Sequence, residues 1–410
     1  GFDLILLGDG NDFSVGGADL NETFGGEGND FIMGGDDADT VFGDGGDDWI
    51  EGGGQNDLLQ GDFGAPFQDS AHAGNDIIIG GAGNDDYDSE SGDDIMLADD
   101  GIERNEGMLG FDWVSYKYDL QAANADLFFT GLLPPDLDAI RDRFDLVEGL
   151  SGWDLNDTLR GDNADSAFLT AIDVPSGHNN ALNTAAQISL INGLSTLLNG
   201  ASSFSGGNII LGGGGSDLIE GRGGDDIIDG DAKLNVRIEV SGELGGTFSV
   251  NSMTELIPRM FSGEINPGQL QIVREIITGN TVGDIDTAVF TGNYADYTIE
   301  GRITNGATVT RAAFDVNGDG FISVTDNVGA DGADRLKNIE KLQFADQIVV
   351  ISNAAPTLDL HTQTIITTNG QYADNFNTSA LNNSTGTTTW ATPWVETGDS
   401  SEEHASSGKI

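Results

Sequence analysis

Apolar residues recur along the first hundred positions in short triplets such as Phe31-Ile32-Met33, each preceded by a glycine-rich polar stretch, and the period is nine. The units "LGDGNDFSV" from Leu7, "GGADLNETF", "GGEGNDFIM", "GGDDADTVF", "GDGGDDWIE" and "GGGQNDLLQ" keep one register without a break. A seventh, "GDFGAPFQD" from Gly61, is damaged, and one inserted residue, Ser70, resets the phase before "AHAGNDIII", "GGAGNDDYD" and "SESGDDIML" carry it to Leu97. A shorter array comes later, "GGGGSDLIE" from Gly212 and "GRGGDDIID" from Gly221, behind a degenerate "SFSGGNIIL". A fixed period of this kind predicts stacked units that share a continuous core. Places seven to nine hold only a short strand whose side chains alternate between faces. Place eight reads Thr23, Ile32, Val41, Ile50, Leu59, Ile78, Tyr87 and Met96, so it is assigned inward.

Between and after the arrays the pattern changes. The period fails after Leu97; "GFDWVSYKYDL" from Gly110 reads as strand, and "PPDLDAIRDRF" from Pro134 as a helix with Leu137, Ile140 and Phe144 on one face. "LNDTLRGDN" from Leu155 returns to repeat-like turns, and Ile188, Ile191, Leu194 and Leu198 have helical spacing. This insertion reads as a cap or clasp on the repeats. From Gly230 a mixed domain is expected. Ser252 and Glu255 form a capping box, and Asn266, Pro267 and Gly279 bracket a helix as N-cap, first position and stop. Strands are expected next at "DTAVF", "YTIEG" and "ATVTR". The predicted fold is mainly β: a first roll over 1–100, an interrupted region with a helical insertion over 101–202, a second array over 203–232, an α+β domain over 233–352, and a linker with the start of a β domain over 353–410.

The polar half of each unit carries the candidate chemistry. Glycines at places one, two and four permit a tight turn in which backbone carbonyls converge, and Asp at place six adds an anionic oxygen. Ca²⁺ favours such a set, since it takes six to eight oxygen ligands in flexible geometry. The nonads resemble the RTX repeat, G-G-x-G-x-D-x-U-x, of proteins that bacterial type I systems secrete. That resemblance implies a right-handed parallel β-roll, two nonads per turn, with calcium between turns on the same side. Place-six residues then pair eighteen apart, with Asp12, Asp30, Asp48 and Asp85 on one side and Asn21, Asp39, Asp57, Asp76 and Asp94 on the other; Asp217 and Asp226 serve the second array. Place four is glycine on the first side, at Gly10, Gly28 and Gly46, but Asp19, Asp37 and Gln55 on the second, which predicts edges of unequal affinity. "DVNGDGFISVTD" resembles an EF-hand loop, with Asp315, Asn317, Asp319, the Phe321 carbonyl and Asp326 as ligands; a glycine-rich hairpin turn is the other reading. On the order of five to nine bound Ca²⁺ are expected in all.

Charge sharpens this picture. Asp and Glu number 69 against 16 Lys and Arg, a formal charge of −53, which excludes nucleic acid as a partner and opposes compaction without cations. There is no cysteine and no run long enough to span a membrane. The sequence lacks an N-terminal signal-peptide pattern and opens in mid-array like a fragment. Four scattered histidines form no haem or zinc constellation, and neither H-E-x-x-H nor G-x-S-x-G occurs, so no catalytic role is assigned. Residues 230–350 resemble the region after the RTX arrays in large bacterial proteins that also carry an animal-type haem-peroxidase domain, which implies a parent protein rather than an activity of this chain. Trp390 and Trp394 in the Thr/Asn/Ser-rich tail read as sandwich core or as a platform for surface glycans. Three readings are open: a secreted, extracellular or cell-surface bacterial module that type I export delivers unfolded and Ca²⁺ folds, an adhesin spacer, and an accessory region of a peroxidase.

Overall fold

The computed structural model describes residues 1–63, 72–130, 142–172, 179–242, 246–279, 283–300, 309–310, 315 and 318–352. The described residues all fall in one compact unit. Residues 134–141 of the helix expected over 134–144, Asn317, and the tail with Trp390 and Trp394 lie outside the described residues.

The apolar triplets become strands because each is too short to do anything but pair with its counterpart in the next turn. A twelve-stranded sheet, here the long sheet, takes the triplets of alternate nonads; two seven-stranded sheets, one after the other, take the rest. The pairing is parallel throughout the arrays, and place eight forms an inward column. On the long sheet Ile32 pairs with Ile50, then Ile78, Met96, Val114, Leu150, Ile210, Ile228 and Leu336 in succession. Opposite it run Thr23, Val41, Leu59, Tyr87, Asn105 and Phe144, followed on the second facing sheet by Ala125, Leu159, Ile219, Ala288 and Leu342. All but Thr23 and Asn105 of these are buried apolar side chains of one core. Each buried aliphatic stabilises the roll by about 1.5–3 kcal/mol.

This continuity crosses positions where the sequence pattern is interrupted. Gly107–Ser115 reads "GMLGFDWVS", a further nonad in phase, so the period resumes after one degenerate unit instead of failing at Leu97. Both arrays belong to the same long sheet.

Of the damaged seventh unit, Gly61 keeps its place in the stack, its N–H donating to the Asp88 carbonyl at 3.0 Å. Ile50 pairs with Ile78 and Leu59 with Tyr87, each twenty-eight residues on, so the pairing passes over ten residues. This corrects the sides expected from a spacing of eighteen: Asp76 and Asp94 follow Asp48, and Asp85 follows Asp57. The apolar column decides it, since seating the Phe67–Asp69 triplet, with Gln68 at its centre, would bury a polar residue at place eight.

The outer face of the long sheet is also covered. Chain leaves the roll after Asp229 to make strands Ala232–Ser241, Thr247–Val250 and Leu270–Thr278, an antiparallel sheet whose Leu234, Val236, Ile238 and Val240 pack with Phe31, Trp49, Ile77, Ile79, Trp113, Ile209 and Leu211 in a second core. Glu51 pins this cover: its carboxylate accepts from Trp49 Nε1 at 2.7 Å, Ser252 Oγ at 2.8 Å and Met253 N at 2.7 Å. Lys117 Nζ donates to the Val236 carbonyl and to Asn251 Oδ1. The helical insertion contributes Ile188, Ile191, Leu194 and Leu198 to the same core, as two short helices, Ala185–Leu190 and Leu194–Leu197, broken at Gly193 with φ +96°.

Two helix assignments are overturned. The Asn266–Gln269 capping box forms but caps only the 3₁₀ turn Pro267–Gln269. The chain then continues as the strand Leu270–Thr278, because nine residues pair with the strand from Ala232 and burial on that surface outweighs the local start signal. Phe144 lies in the strand Arg143–Asp145 with its ring in the roll core.

Candidate metal centres

Every strand of the arrays is preceded by a turn with the place-six residue at its end, and stacking brings these residues into ladders along both edges of the roll. On one edge the Asp12 N–H donates to Asp30 Oδ1 at 2.7 Å, Asp30 N–H to Asp48 Oδ1 at 2.7 Å, Asp48 to Asp76 at 2.8 Å, Asp76 to Asp94 at 2.6 Å and Asp94 to Asp112 at 2.9 Å; Asp112 donates to Glu148 Oε2 at 3.0 Å. On the other edge Asn21 donates to Asp39 at 2.6 Å, Asp39 to Asp57 at 2.7 Å and Asp57 to Asp85 at 2.8 Å. Later turns repeat the device in Asp157, Asp217 and Asp286, and in Asn208, Asp226 and Asp334.

Most ladder aspartates thus use one oxygen; Asp157 uses both, accepting from Ala123 N and Trp153 N. The other, Oδ2, is buried without a hydrogen-bond partner at Asp30, Asp39, Asp48, Asp57, Asp76, Asp85, Asp94, Asp112, Asp217, Asp226 and Asp286. An orphaned buried carboxylate oxygen costs several kcal/mol, by order of magnitude, unless something positive meets it. Among the described residues no Lys or Arg forms an ion pair with any of the eleven. Beside every orphan but that of Asp94, where place one is Ser89, lies a glycine with room only for a hydrogen. A Cβ on Gly25 would strike the Gly43 carbonyl and Asp30 Oδ2; on Gly43, Asp48 Oδ2 and the Gly61 carbonyl; on Gly52, Asp57 Oδ2 and the Gly80 carbonyl; on Gly212, Asp217 Oδ2 and the Gly230 carbonyl. Place one is glycine because carbonyl and carboxylate oxygens converge there. This hard, oxygen-only donor set suits Ca²⁺.

The electrostatics agree. Burial, opposed by the N–H of Asp12, pushes Asp30 up to about 7; burial likewise takes Asp57 to about 8, Asp76 to about 8, Asp85 to about 6, Asp217 to about 7 and Asp286 to about 8. Asp48 and Asp94 stand well above the ordinary range, first by burial and then by the charge of Asp76. Without cations, these carboxylates hold protons at neutral pH or keep the chain open.

The edges differ, by another route than the one expected. Asp19 and Asp37 are not among the residues with positive φ, and Gln55 at +70° is; Gly10, Gly28 and Gly46 lie between +115° and +134°. The sharper difference is at Asn21, whose Nδ2 donates to the Asp19 carbonyl at 2.6 Å, to Asp39 Oδ1 at 3.1 Å and to the Gly34 carbonyl at 3.3 Å. An amide there adds a second donor to Asp39 Oδ1 and leaves Asp39 Oδ2 without a partner.

The Asp315 loop is a turn held by itself: Asp315 accepts from Asp319 N and Gly320 N, both at 3.0 Å, and Asp319 from Phe321 N at 3.0 Å. The strand Ile322–Asp326 then carries Asp326 about 13 Å onward, where it accepts from Val328, Gly329 and Asp331 N–H groups. Asp326 is therefore not brought to the loop as a twelfth-position ligand, because extended chain replaces the turn that would return it. Sequence reasoning missed Asp112, Glu148, Asp157, Asp286 and Asp334 as ladder members. Their signal survives as a reduced motif, an acid followed two residues on by an apolar residue, as in Asp286-Thr287-Ala288 and Asp334-Arg335-Leu336.

Parallel turns with ladders of half-paired aspartates over glycine cradles define a parallel β-roll with acidic edges. The model of the RTX calcium-binding nonapeptide repeat matches residues 24–59, 70–96 and 202–232, and these segments are RTX repeats. RTX repeats of this kind indicate a calcium-binding module typical of secreted bacterial proteins. No curated protein matches the chain. No helix among the described residues is long and apolar enough to cross a membrane.

Proposed function

We propose that this chain is a calcium-folded module of a secreted bacterial protein, which passes extended through a type I apparatus and closes into a roll on meeting extracellular Ca²⁺. The observation that carries this reading is the eleven buried, partnerless Oδ2 atoms. At low calcium their mutual repulsion, within a chain of charge −53, keeps the strands apart. At high calcium each ion ties a carboxylate of one turn to carbonyls of the next, and binding free energy becomes folding free energy. The ligands proposed are Asp30, Asp39, Asp48, Asp57, Asp76, Asp85, Asp94, Asp217 and Asp226 of the expected set, with Asp112 and Asp286 added; Asp12 ends its ladder.

Far-ultraviolet circular dichroism with chelator and across a calcium titration tests it. Low β content in chelator and a cooperative gain at roughly 10⁻⁴–10⁻³ M, the regime of extracellular modules, are expected. Identical spectra in both conditions would overturn it.

A second reading, a rigid spacer in an adhesin, draws on the unbroken long sheet, which spans about 50 Å at the usual strand spacing. Binding of the folded chain to glycan arrays or bacterial surfaces tests it, and no retention on either would remove it. A peroxidase-bearing parent rests only on the resemblance of residues 230–350.

A further inference from the structure

The first array ends in a carboxylate cluster unlike its repeats. In the degenerate unit 98–106, Asp99 stands at place two, where most units carry glycine, and Glu103 at place six, where they carry Asp or Asn. Stacking sets both against Asp85, and one carboxylate oxygen from each of the three lies within 4.8 Å of the others. All three are buried, with exposures of 2, 7 and 1% for Asp85, Asp99 and Glu103.

Their hydrogen bonds leave a definite remainder. Asp85 Oδ1 accepts from Asp57 N and Asp99 Oδ2 from Gly81 N. Asp85 Oδ2, Asp99 Oδ1 and both oxygens of Glu103 have no partner, so four buried anionic oxygens remain. A shared proton would join two of them; a divalent cation meets one from each residue. Gly101 leaves the space open, since a Cβ there would strike the Gly83 carbonyl and Glu103 Oε1.

We infer that at Asp85 the ladder ends in a three-carboxylate site, formed with Asp99 and Glu103, for a hard divalent cation, Ca²⁺, which fills before the regular repeat sites. The inference rests on the calcium reading of the ladders and adds to it a rank order. A ladder position of the regular repeats offers one carboxylate from its own unit, whereas this one gathers three, and affinity in oxygen-ligand sites rises with ligand charge. Burial, then the charges of Asp142 and Asp99, push Glu103 up to about 11, consistent with a group that needs a cation to ionise. Asp142 stands beside the cluster, accepting from Glu103 N at 3.1 Å and Tyr116 Oη at 2.6 Å with its carboxylate against that of Glu103, so it positions Glu103.

The test is a calcium titration of the full chain, followed by calorimetry and by native mass spectrometry for ion count, on the wild type, Asp99→Asn/Glu103→Gln, Asp99→Gly and Asp30→Asn. Asp99→Gly restores the residue usual at place two and so guards against a folding defect in the double variant. The wild type is expected to show a tight first phase of one ion. Both cluster variants should lose that phase, with about tenfold or more weaker binding there and one ion fewer, while Asp30→Asn retains it. A first phase that persists in Asp99→Gly, or an unchanged ion count in the double variant, would overturn the site and leave the ladder reading standing. A wild type that binds no calcium would overturn both.

Discussion

Gly25→Ala isolates the cradle from the ordinary cost of altering a glycine. Gly25 is not among the positive-φ residues, so alanine meets no backbone strain there, and at a compatible position it stabilises by about 0.4–1 kcal/mol through the unfolded chain. In the roll its Cβ would lie 2.6 Å from Asp30 Oδ2 and closer still to the Gly43 carbonyl. Restoring contact at about 3.4 Å requires a shift of about 0.8 Å, whereas Ca–O distances tolerate a spread of about 0.3 Å. One ligand must therefore leave. The expected result is a calcium midpoint for folding raised about tenfold, or about 1.4 kcal/mol, with at least one ion fewer in native mass spectra. Gly17→Ala is the control: φ is +108° with nothing within 4 Å of the added carbon, so it should cost about 1 kcal/mol of strain and no ion. A Gly25→Ala chain with the wild-type ion count and a midpoint within about twofold would refute the assignment of place one to the metal cradle.

Acid should partly replace calcium. Asp30, Asp57, Asp76, Asp217 and Asp286 sit at about 7 to 8 in the folded roll against an ordinary 3.8, so between about pH 4 and 8 the fold holds protons that the open chain has released, and stability falls as pH rises through that window. In chelator, β content should be higher at pH 4 than at pH 8; the reverse order would contradict the burial of these groups. Asp30→Asn should raise the calcium midpoint more than Asp39→Asn, because Asn21 already supplies Asp39 with an amide donor; equal shifts in a titration would dismiss the difference between edges. Glu51→Ala strands Trp49 Nε1 and Met253 N in the second core and should cost about 2–4 kcal/mol, visible in calcium as a lower Tm and earlier proteolysis within 233–279, while an unchanged Tm would exclude Glu51 as the pin. Asp326→Asn should leave the ion count unaltered, and loss of an ion would restore Asp326 as a ligand.

The nonad by itself determined the roll, its inward column and the aspartates of its ladders, because a short apolar triplet repeated every nine residues has one way to bury place eight, and the glycine-aspartate turn has one chemistry to offer. Partner choice lay beyond it. Whether Asp57 stacks on Asp76 or Asp85 depends on whether the damaged unit enters the stack, which the energy of the whole column decides and no local spacing records. The second core was half legible: Phe31 with Met33 and Ile77 with Ile79 place apolar side chains outward, whereas Asp86 with Asp88 on the facing sheet do not, yet what covers that face is set by contacts across some two hundred residues, such as Glu51 with Met253. The same remoteness defeated the helix expected after Pro267. Its start signal was real and local; the strand that replaced it exists because the strand from Ala232 offers nine paired residues and a buried face, a reward available only after the chain has folded.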